Sequence, residues 1–363
     1  MQHKEHVYYF DYLRVIAAFL VIFMHVAATP LRAGINTDWH LINGLTSLAF
    51  TAVPLFFMMS GYLLLSNEST TDITALLKRR LPKLIVPLIF WSVVVIVGRL
   101  YYTDTLNATN FFDSFVSAFN SPAMVHLWYV YTLVALYLVA PILYNGLKGL
   151  SRGGHILVLT LVLLVSLKPA LQALLPQSYD RFLEFKFITQ MGFLGNHLCT
   201  FILGFYLGKM KKKIPNWLLV FAILAIWGLI TYGTYRLSII EYNQTFQNQS
   251  AGWEIFLAAA IFLLFKQVAN RKSAILSRIP VIPLSLSIYM MHNIFLFAMG
   301  QSGIIAKTFG DTILNSLIIY VVCFVIAKTL ATIKPLCYLA TGIPFKKASK
   351  SCNWIFTFKK PSA

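Results

Sequence analysis

The chain has 363 residues, of which 58% are hydrophobic and only 12% are charged, whereas a soluble domain has about 45–50% apolar and about 25% charged residues. This composition excludes a single soluble core and indicates a polytopic membrane protein. The formal net charge of +18 would suit a nucleic-acid binder, but the bases lie in loops between apolar runs, so no nucleic-acid partner is expected. The four cysteines lack CxxC or CxxH spacing, so no metal site is predicted.

Apolar segments of about 20 residues, enough for a helix to cross the hydrocarbon layer, recur along the whole chain. They predict an all-α integral membrane fold with about ten transmembrane helices. In chain order, the predicted spans are Tyr9 to Ala28, Leu41 to Leu65, Leu84 to Tyr102, Val125 to Tyr144, His155 to Leu175, Phe193 to Lys209, Trp217 to Tyr235, Gly252 to Val268, Pro283 to Gln301 and Thr312 to Ile333. The first is too long for a cleavable signal peptide and contains charged residues, so we expect it to remain as a span.

The distribution of Lys and Arg predicts the orientation, because basic loops stay on the cytoplasmic side. With the N-terminus inside, 21 of the 30 Lys and Arg residues fall on the inner side and only five on the outer side. Ten spans then place the N- and C-termini in the cytoplasm. The sequence thus predicts one membrane domain over residues 1–335 and a basic cytoplasmic tail over 336–363, with membrane lipids as its surroundings.

The first span contains three ionisable residues, which are costly in a membrane and often functional. Asp11 and Arg14 are three residues apart and can pair on one helical face. Arg14 and His25 are eleven residues apart, which returns them to the same face about 16 Å apart along the axis. An interfacial ion pair with a packed histidine is the structural alternative. The shared face favours a polar stripe that lines a hydrated cavity.

The inner end of the third span carries four cations within residues 78–83. Such a cluster can simply fix topology and bind lipid headgroups. Arg80 and Lys83, however, are spaced i and i+3 where a helix begins, so they could converge on one phosphate group. An anionic cytosolic substrate is the functional alternative.

Three further histidines, His126, His197 and His292, lie near the outer ends of their predicted spans or at mid-depth. For His197, which begins an outward-facing end, interfacial hydrogen bonding is the favoured account. His126 begins an outward-facing end beside aromatic residues, where interfacial hydrogen bonding is an equally good account. His292 lies midway along its span with Tyr289 one turn before it, which favours a functional role. No GxSxG, P-loop or HExxH motif is present, so the sequence does not support the chemistries that these motifs carry.

Asp11 to Ala17 followed by His25 resembles the arginine, ten residues, histidine signature of the membrane-bound acyltransferase-3 family, the bacterial surface-polysaccharide O-acyltransferases. Other blocks in the same order also resemble this family, particularly its single-domain branch: Phe56 to Tyr62 with Ser60, Arg80 to Lys83, His126 to Tyr131, and Ser287 to His292 with Tyr289. Lys83 stands where the family has a second arginine, which keeps the charge but loses the bidentate fork.

The resemblance implies transfer of an acyl group, with acetyl expected, from cytosolic acyl-CoA to a carbohydrate hydroxyl. His25 would be the general base or would position that hydroxyl, and Arg14, oriented by Asp11, would hold the donor or the reacting thioester carbonyl. Arg80 and Lys83 would bind the coenzyme A phosphates. Ser60, His126, Tyr289 and His292 are further candidates for lining the pocket. Acyl-CoA would be a co-substrate, and no permanently bound cofactor is expected.

The acceptor would be a cell-surface polysaccharide or its lipid-linked precursor, and the location the bacterial cytoplasmic membrane. Two other functions stay open from the sequence alone. One is a transporter or flippase of a lipid-linked sugar, although the two halves of the chain show no internal repeat of the kind common in transporters. The other is a membrane sensor or anchoring module. Consumption of the thioester separates an enzyme from both.

Overall fold

The computed structural model describes residues 6–175, 195–250, 252–274, 276, 281–346 and 348. All regular structure in these ranges is helical. Thirteen principal helices are present: α1 Tyr8–Arg32, α2 Thr37–Ala49, α3 Ala52–Leu65, α4 Pro82–Tyr102, α5 Ala108–Asn120, α6 Trp128–Gly149, α7 Arg152–Leu174, α8 Gly195–Lys209, α9 Asn216–Leu237, α10 Gly252–Val268, α11 Val281–Gln301, α12 Phe309–Thr332 and α13 Lys334–Thr341. The prediction of an all-α membrane fold is confirmed.

Eight helical segments in the described ranges are long and apolar enough to cross a membrane. They coincide with eight of the ten predicted spans. The other two predicted spans correspond to α8 and α10, which have 15 and 17 residues; the first residues predicted for α8, from Phe193, lie outside the described ranges. The orientation, with both termini in the cytoplasm, stays a prediction.

Helix α1 lies at the centre of the bundle and packs against α2, α3, α11 and α12. Its residues Leu13, Ala17, Val21 and Phe23 are buried to 1% exposure or less. An apolar helix surrounded by other helices keeps its polar side chains away from lipid. Arg14 and His25 therefore face protein rather than acyl chains.

The second predicted span is broken into α2 and α3 at Phe50 and Thr51. Pro54 explains the break, because proline lacks an N–H and its ring clashes with the carbonyl four residues earlier. Helix α3 then packs very closely on α8. A Cβ atom added at Gly61 would lie 1.8 Å from the backbone oxygen of Phe201, and one at Gly204 would lie 2.1 Å from that of Met58. Glycines at this contact let two membrane helices approach closely.

Helix α5 was not predicted, because its 13 residues are too few to cross a membrane. Phe111, Phe115 and Ala118 on one face pack against Ile96 and Leu100 of α4. Phe112 and Phe119 on the same helix are exposed. This amphipathic pattern is typical of a helix that lies along a membrane surface.

Helix α13 packs the chain beyond Lys334 into the bundle, past the predicted domain boundary at residue 335. The indole Nε1 of Trp91 and the hydroxyl of Ser287 both donate hydrogen bonds to the carbonyl of Ala340, each at 3.0 Å. Gly342 ends the helix with a φ of 67°, and a Cβ there would lie 2.2 Å from the backbone oxygen of Lys83. Both the backbone conformation and the close contact therefore require glycine.

Candidate active site

Three histidines from three separate segments meet near one end of α1. His25 comes from α1, His126 from the 3₁₀ turn that precedes α6, and His292 from the middle of α11. Their ring centroids lie 6.1 Å apart for His25 and His126, 5.1 Å for His25 and His292, and 4.6 Å for His126 and His292. The structure thus brings together three of the four histidines that the sequence singled out, whereas the ring of His197 lies beside those of Phe57 and Trp128.

His126 is fixed at both ring nitrogens. The side-chain nitrogen of Asn293 donates to Nδ1 at 2.8 Å, so Nδ1 is an acceptor. Nε2 then carries the proton and donates to the carbonyl of Met290 at 3.2 Å. Tyr289 donates its hydroxyl to the backbone carbonyl of His126 itself. These contacts give His126 a single neutral tautomer and a single orientation, which suits a positioning residue.

His292 has one engaged nitrogen and one free nitrogen. Its Nδ1 donates to the carbonyl of Tyr289 at 2.5 Å. Its Nε2 is buried and has no hydrogen-bond partner within the described ranges. The proton on Nδ1 leaves Nε2 as an acceptor in the interior.

His25 lines a cavity together with His126, but unlike His126 it is not held by hydrogen bonds to protein groups. It makes no hydrogen bond to any residue that the structure describes. The cavity has a volume of about 280 Å³, and its polar lining comes from His25, Arg32, His126, Tyr242, Gln244, Gln249 and Tyr289. The break between α2 and α3 borders it, since Phe50 and Val53 also line the wall. A bound hydroxyl could therefore reach the imidazole of His25 without displacing a protein partner.

A second polar group extends from this cluster toward the other end of α1. Tyr129 and Tyr289 have ring centroids 5.3 Å apart, which connects the two groups. The Tyr129 hydroxyl is hydrogen-bonded to Ser60 and lies within electrostatic range of Arg14. Tyr137 lies within electrostatic range of both Arg14 and Arg80. Polar side chains thus follow one another from Arg80 to the histidines.

Asp11 does not form the predicted direct pair with Arg14. In the described part of the chain its carboxylate contacts the imidazole of His6, with Oδ2 and Nε2 2.6 Å apart, and its Oδ1 is buried without a hydrogen-bond partner. Asp11 still lies within electrostatic range of Arg14. The i and i+3 spacing permits a pair, but His6, which precedes the helix, reaches the carboxylate.

Arg80 ends a π-helical segment, Leu76–Arg80, just before α4 begins. Its guanidinium donates to Oγ1 of Thr70 at 3.0 Å and to Oγ of Ser69 at 2.6 Å. A guanidinium has five N–H donors, so these two bonds orient it and leave donors available. The backbone of Lys83 abuts Gly342, which places α13 beside the predicted donor-binding residues.

Several residues of the site belong to no recognisable sequence motif. Tyr137 follows Tyr129 by eight residues within a predicted span, and the sequence does not distinguish it from the apolar residues around it. Asn293 adjoins His292, but only the packing of α11 against the turn before α6 directs its amide to His126. The cavity residues from 242 to 249 belong to a loop whose position no local pattern predicts. Glu254 is fully buried in α10. The sequence could have identified this residue, because an acidic side chain within a predicted span is unusual.

Comparison with known proteins identifies the family of the chain. A family model described as an acyltransferase domain, acyltransferase-3, matches residues 7–333. No curated protein and no solved structure matches the chain. The matched region spans nearly the whole chain, from the first residues before α1 to the end of α12, and it contains the histidines, Arg14 and Arg80. The chain therefore belongs to the acyltransferase-3 family and is a membrane acyltransferase.

Proposed function

We propose that this protein is an O-acyltransferase of the bacterial cytoplasmic membrane that moves an acyl group, with acetyl expected, from cytosolic acyl-CoA to a sugar hydroxyl. The acceptor is a cell-surface polysaccharide or its lipid-linked precursor. The observation that carries this proposal is the series of polar side chains from Arg80 through Tyr137, Arg14 and Tyr129 to the histidine cluster. It leads from a cationic end at Arg80 to a histidine that faces a cavity.

His25 acts as the general base. Its imidazole accepts the proton of the acceptor hydroxyl, and the hydroxyl oxygen attacks the carbonyl carbon of the thioester. The carbon–sulfur bond then breaks, and the proton passes from His25 to the leaving sulfur. The products are an acylated sugar and free coenzyme A. His126, held by Asn293 and Met290, keeps the cluster in one arrangement.

Arg14 holds the donor at a distance from the reacting carbonyl. On one straight helix, eleven residues separate Arg14 from His25 by about 16 Å, so the two side chains do not both contact one carbonyl group. The coenzyme carries its thioester on a long arm, and Arg14 and Tyr129 bind along that arm. Arg80 and Lys83 bind the phosphate groups at its other end, where Ser69 and Thr70 orient the guanidinium.

The test is coenzyme A release by the purified full-length protein, supplied with acetyl-CoA and candidate glycan acceptors. We expect release to depend on both substrates. The His25→Ala variant should lose about 10²- to 10⁴-fold in kcat, the usual effect of removing a general base. His40→Ala is the matched control, because His40 is an exposed histidine that does not line the cavity.

Near wild-type release by His25→Ala at normal abundance would contradict the assignment of His25. Movement of a lipid-linked sugar across vesicles without any thioester consumption would instead support the transporter alternative.

A further inference from the structure

The cavity above the histidines has a polar rim on its outer side. Arg32 contributes from the last turn of α1, and Tyr242, Gln244 and Gln249 contribute from the loop between α9 and α10. His25 and His126 lie in the same cavity. Amide and guanidinium groups around a small concave site are the groups that fix the orientation of a polar ligand.

A buried hydrogen-bond network holds this loop in place. The side-chain nitrogen of Gln247 donates to Oδ1 of Asn43 at 2.8 Å and to Oγ of Ser47 at 2.9 Å. The hydroxyl of Tyr242 donates to Oε1 of Gln247 at 2.6 Å, and Gln247 is 0% exposed. A satisfied buried network of this kind is rigid. The rim is therefore formed before any ligand binds, which lowers the entropic cost of binding.

Arg32 is available for a ligand. It is exposed at the rim, and it forms no ion pair or hydrogen bond with any residue that the structure describes. Its neighbour Tyr242 is a phenol, which is neutral at pH 7, and so does not compensate the cation. Arg32 is also one of only five cations predicted on the outer side, where positive charge does not serve to set topology.

We infer that this cavity takes an acidic acceptor glycan and that Arg32 determines this specificity by binding a carboxylate or phosphate group on the sugar. A guanidinium binds either anion through two parallel hydrogen bonds. Gln244 and Gln249 hydrogen-bond to neutral hydroxyls and direct one of them toward His25. This inference deepens the proposed function and rests on it for the identity of the bound molecule as acceptor.

The structural alternative is that Arg32 only stabilises the end of α1, since cations are favourable in the last turn of a helix. Arg236 provides a matched control for that alternative. It also lies exposed in the last turn of a membrane helix, α9, and on the predicted outer side, but it does not line the cavity. A helix-end effect would be similar for both arginines and independent of the charge on the sugar.

The experiment is equilibrium binding to the full-length protein in lipid nanodiscs, without any acyl donor. The three probes are a uronic-acid oligosaccharide, the same oligosaccharide after its carboxyl groups have been reduced to hydroxyls, and a phosphorylated form of that reduced oligosaccharide. We expect the wild type to bind at least one acidic probe about tenfold more tightly than the neutral probe. The preference should shrink as added salt screens the charge.

Arg32→Gln should bring the ratio of the affinities for the acidic and neutral probes close to one. Arg32→Lys should keep part of the preference, and Arg236→Gln should keep all of it. The choice between the two acidic probes identifies the anion. Equal binding of all three probes by the wild type, no binding of any probe, or the same loss in Arg236→Gln as in Arg32→Gln would each overturn the inference. Because no donor is present, a failure of thioester turnover does not affect this result.

Discussion

The hydrogen bond between Asn293 and His126 allows a direct test of whether the histidine cluster acts as a unit. Asn293 donates to Nδ1 of His126 at 2.8 Å, and His126 is only 2% exposed. Asn293→Ala removes the donor and leaves a buried acceptor without a partner, which costs about 1–3 kcal/mol. If this free energy is lost from the transition state because His126 is no longer held in place, kcat/KM should drop by about 5- to 150-fold.

The assay is coenzyme A release, measured as a double-mutant cycle with His126→Ala. In the His126→Ala background the acceptor at Nδ1 is already gone, so the further loss from Asn293→Ala should fall to near zero. Gln301→Ala is the control. Gln301 also has a carboxamide on α11, but it accepts a hydrogen bond from the hydroxyl of Tyr102 and lies away from the histidines. An equal loss from Asn293→Ala in both backgrounds would refute the reasoning, since Asn293 would then act independently of His126.

Three further outcomes follow from the structure. Arg14→Lys keeps the charge but not the planar fork, so kcat/KM for acyl-CoA should fall about tenfold or more, and unchanged turnover would remove the case for a geometric role. Joint replacement of Arg80→Gln and Lys83→Gln should raise the donor KM at least about tenfold, less at high salt, whereas an unchanged donor KM in the inserted protein would show that these cations only set orientation. Gly61→Ala should lower the thermal unfolding temperature in detergent, because the new Cβ overlaps the α8 backbone at a cost of about 1–3 kcal/mol. Gly228→Ala, which meets nothing within 4 Å, should not lower it.

The positions of the long helices could be predicted from the sequence because the cost of burying polar backbone in lipid forces each apolar run of sufficient length into a helix. The same rule misses α5, whose 13 residues form a helix only by packing Phe111 and Phe115 on α4. It also misses the break at Phe50 and Thr51 that Pro54 causes, since a hydropathy average does not register a missing N–H.

The candidate site could be predicted in part for a similar reason. Arg14, His126 and His292 are conspicuous because ionisable groups are rare in membrane spans. Their partners are ordinary residues, and the pairing of Asn293 with His126 depends on how α11 packs, which no local spacing encodes. For Asp11, local spacing suggested Arg14 as partner, and a residue from outside the helix, His6, makes the contact instead.

The contact between Gly342 and Lys83 has a consequence for how the protein is made. Lys83 belongs to the first quarter of the chain to be synthesised, whereas Gly342 follows only after α12, the last long helix that the structure describes. The start of α4 therefore stays uncovered after the early helices have inserted, until the segment around Gly342 packs beside it. A chain that stalls before Lys334 would hold His25 and Arg14 in their helices but would leave the start of α4 without the segment that covers it.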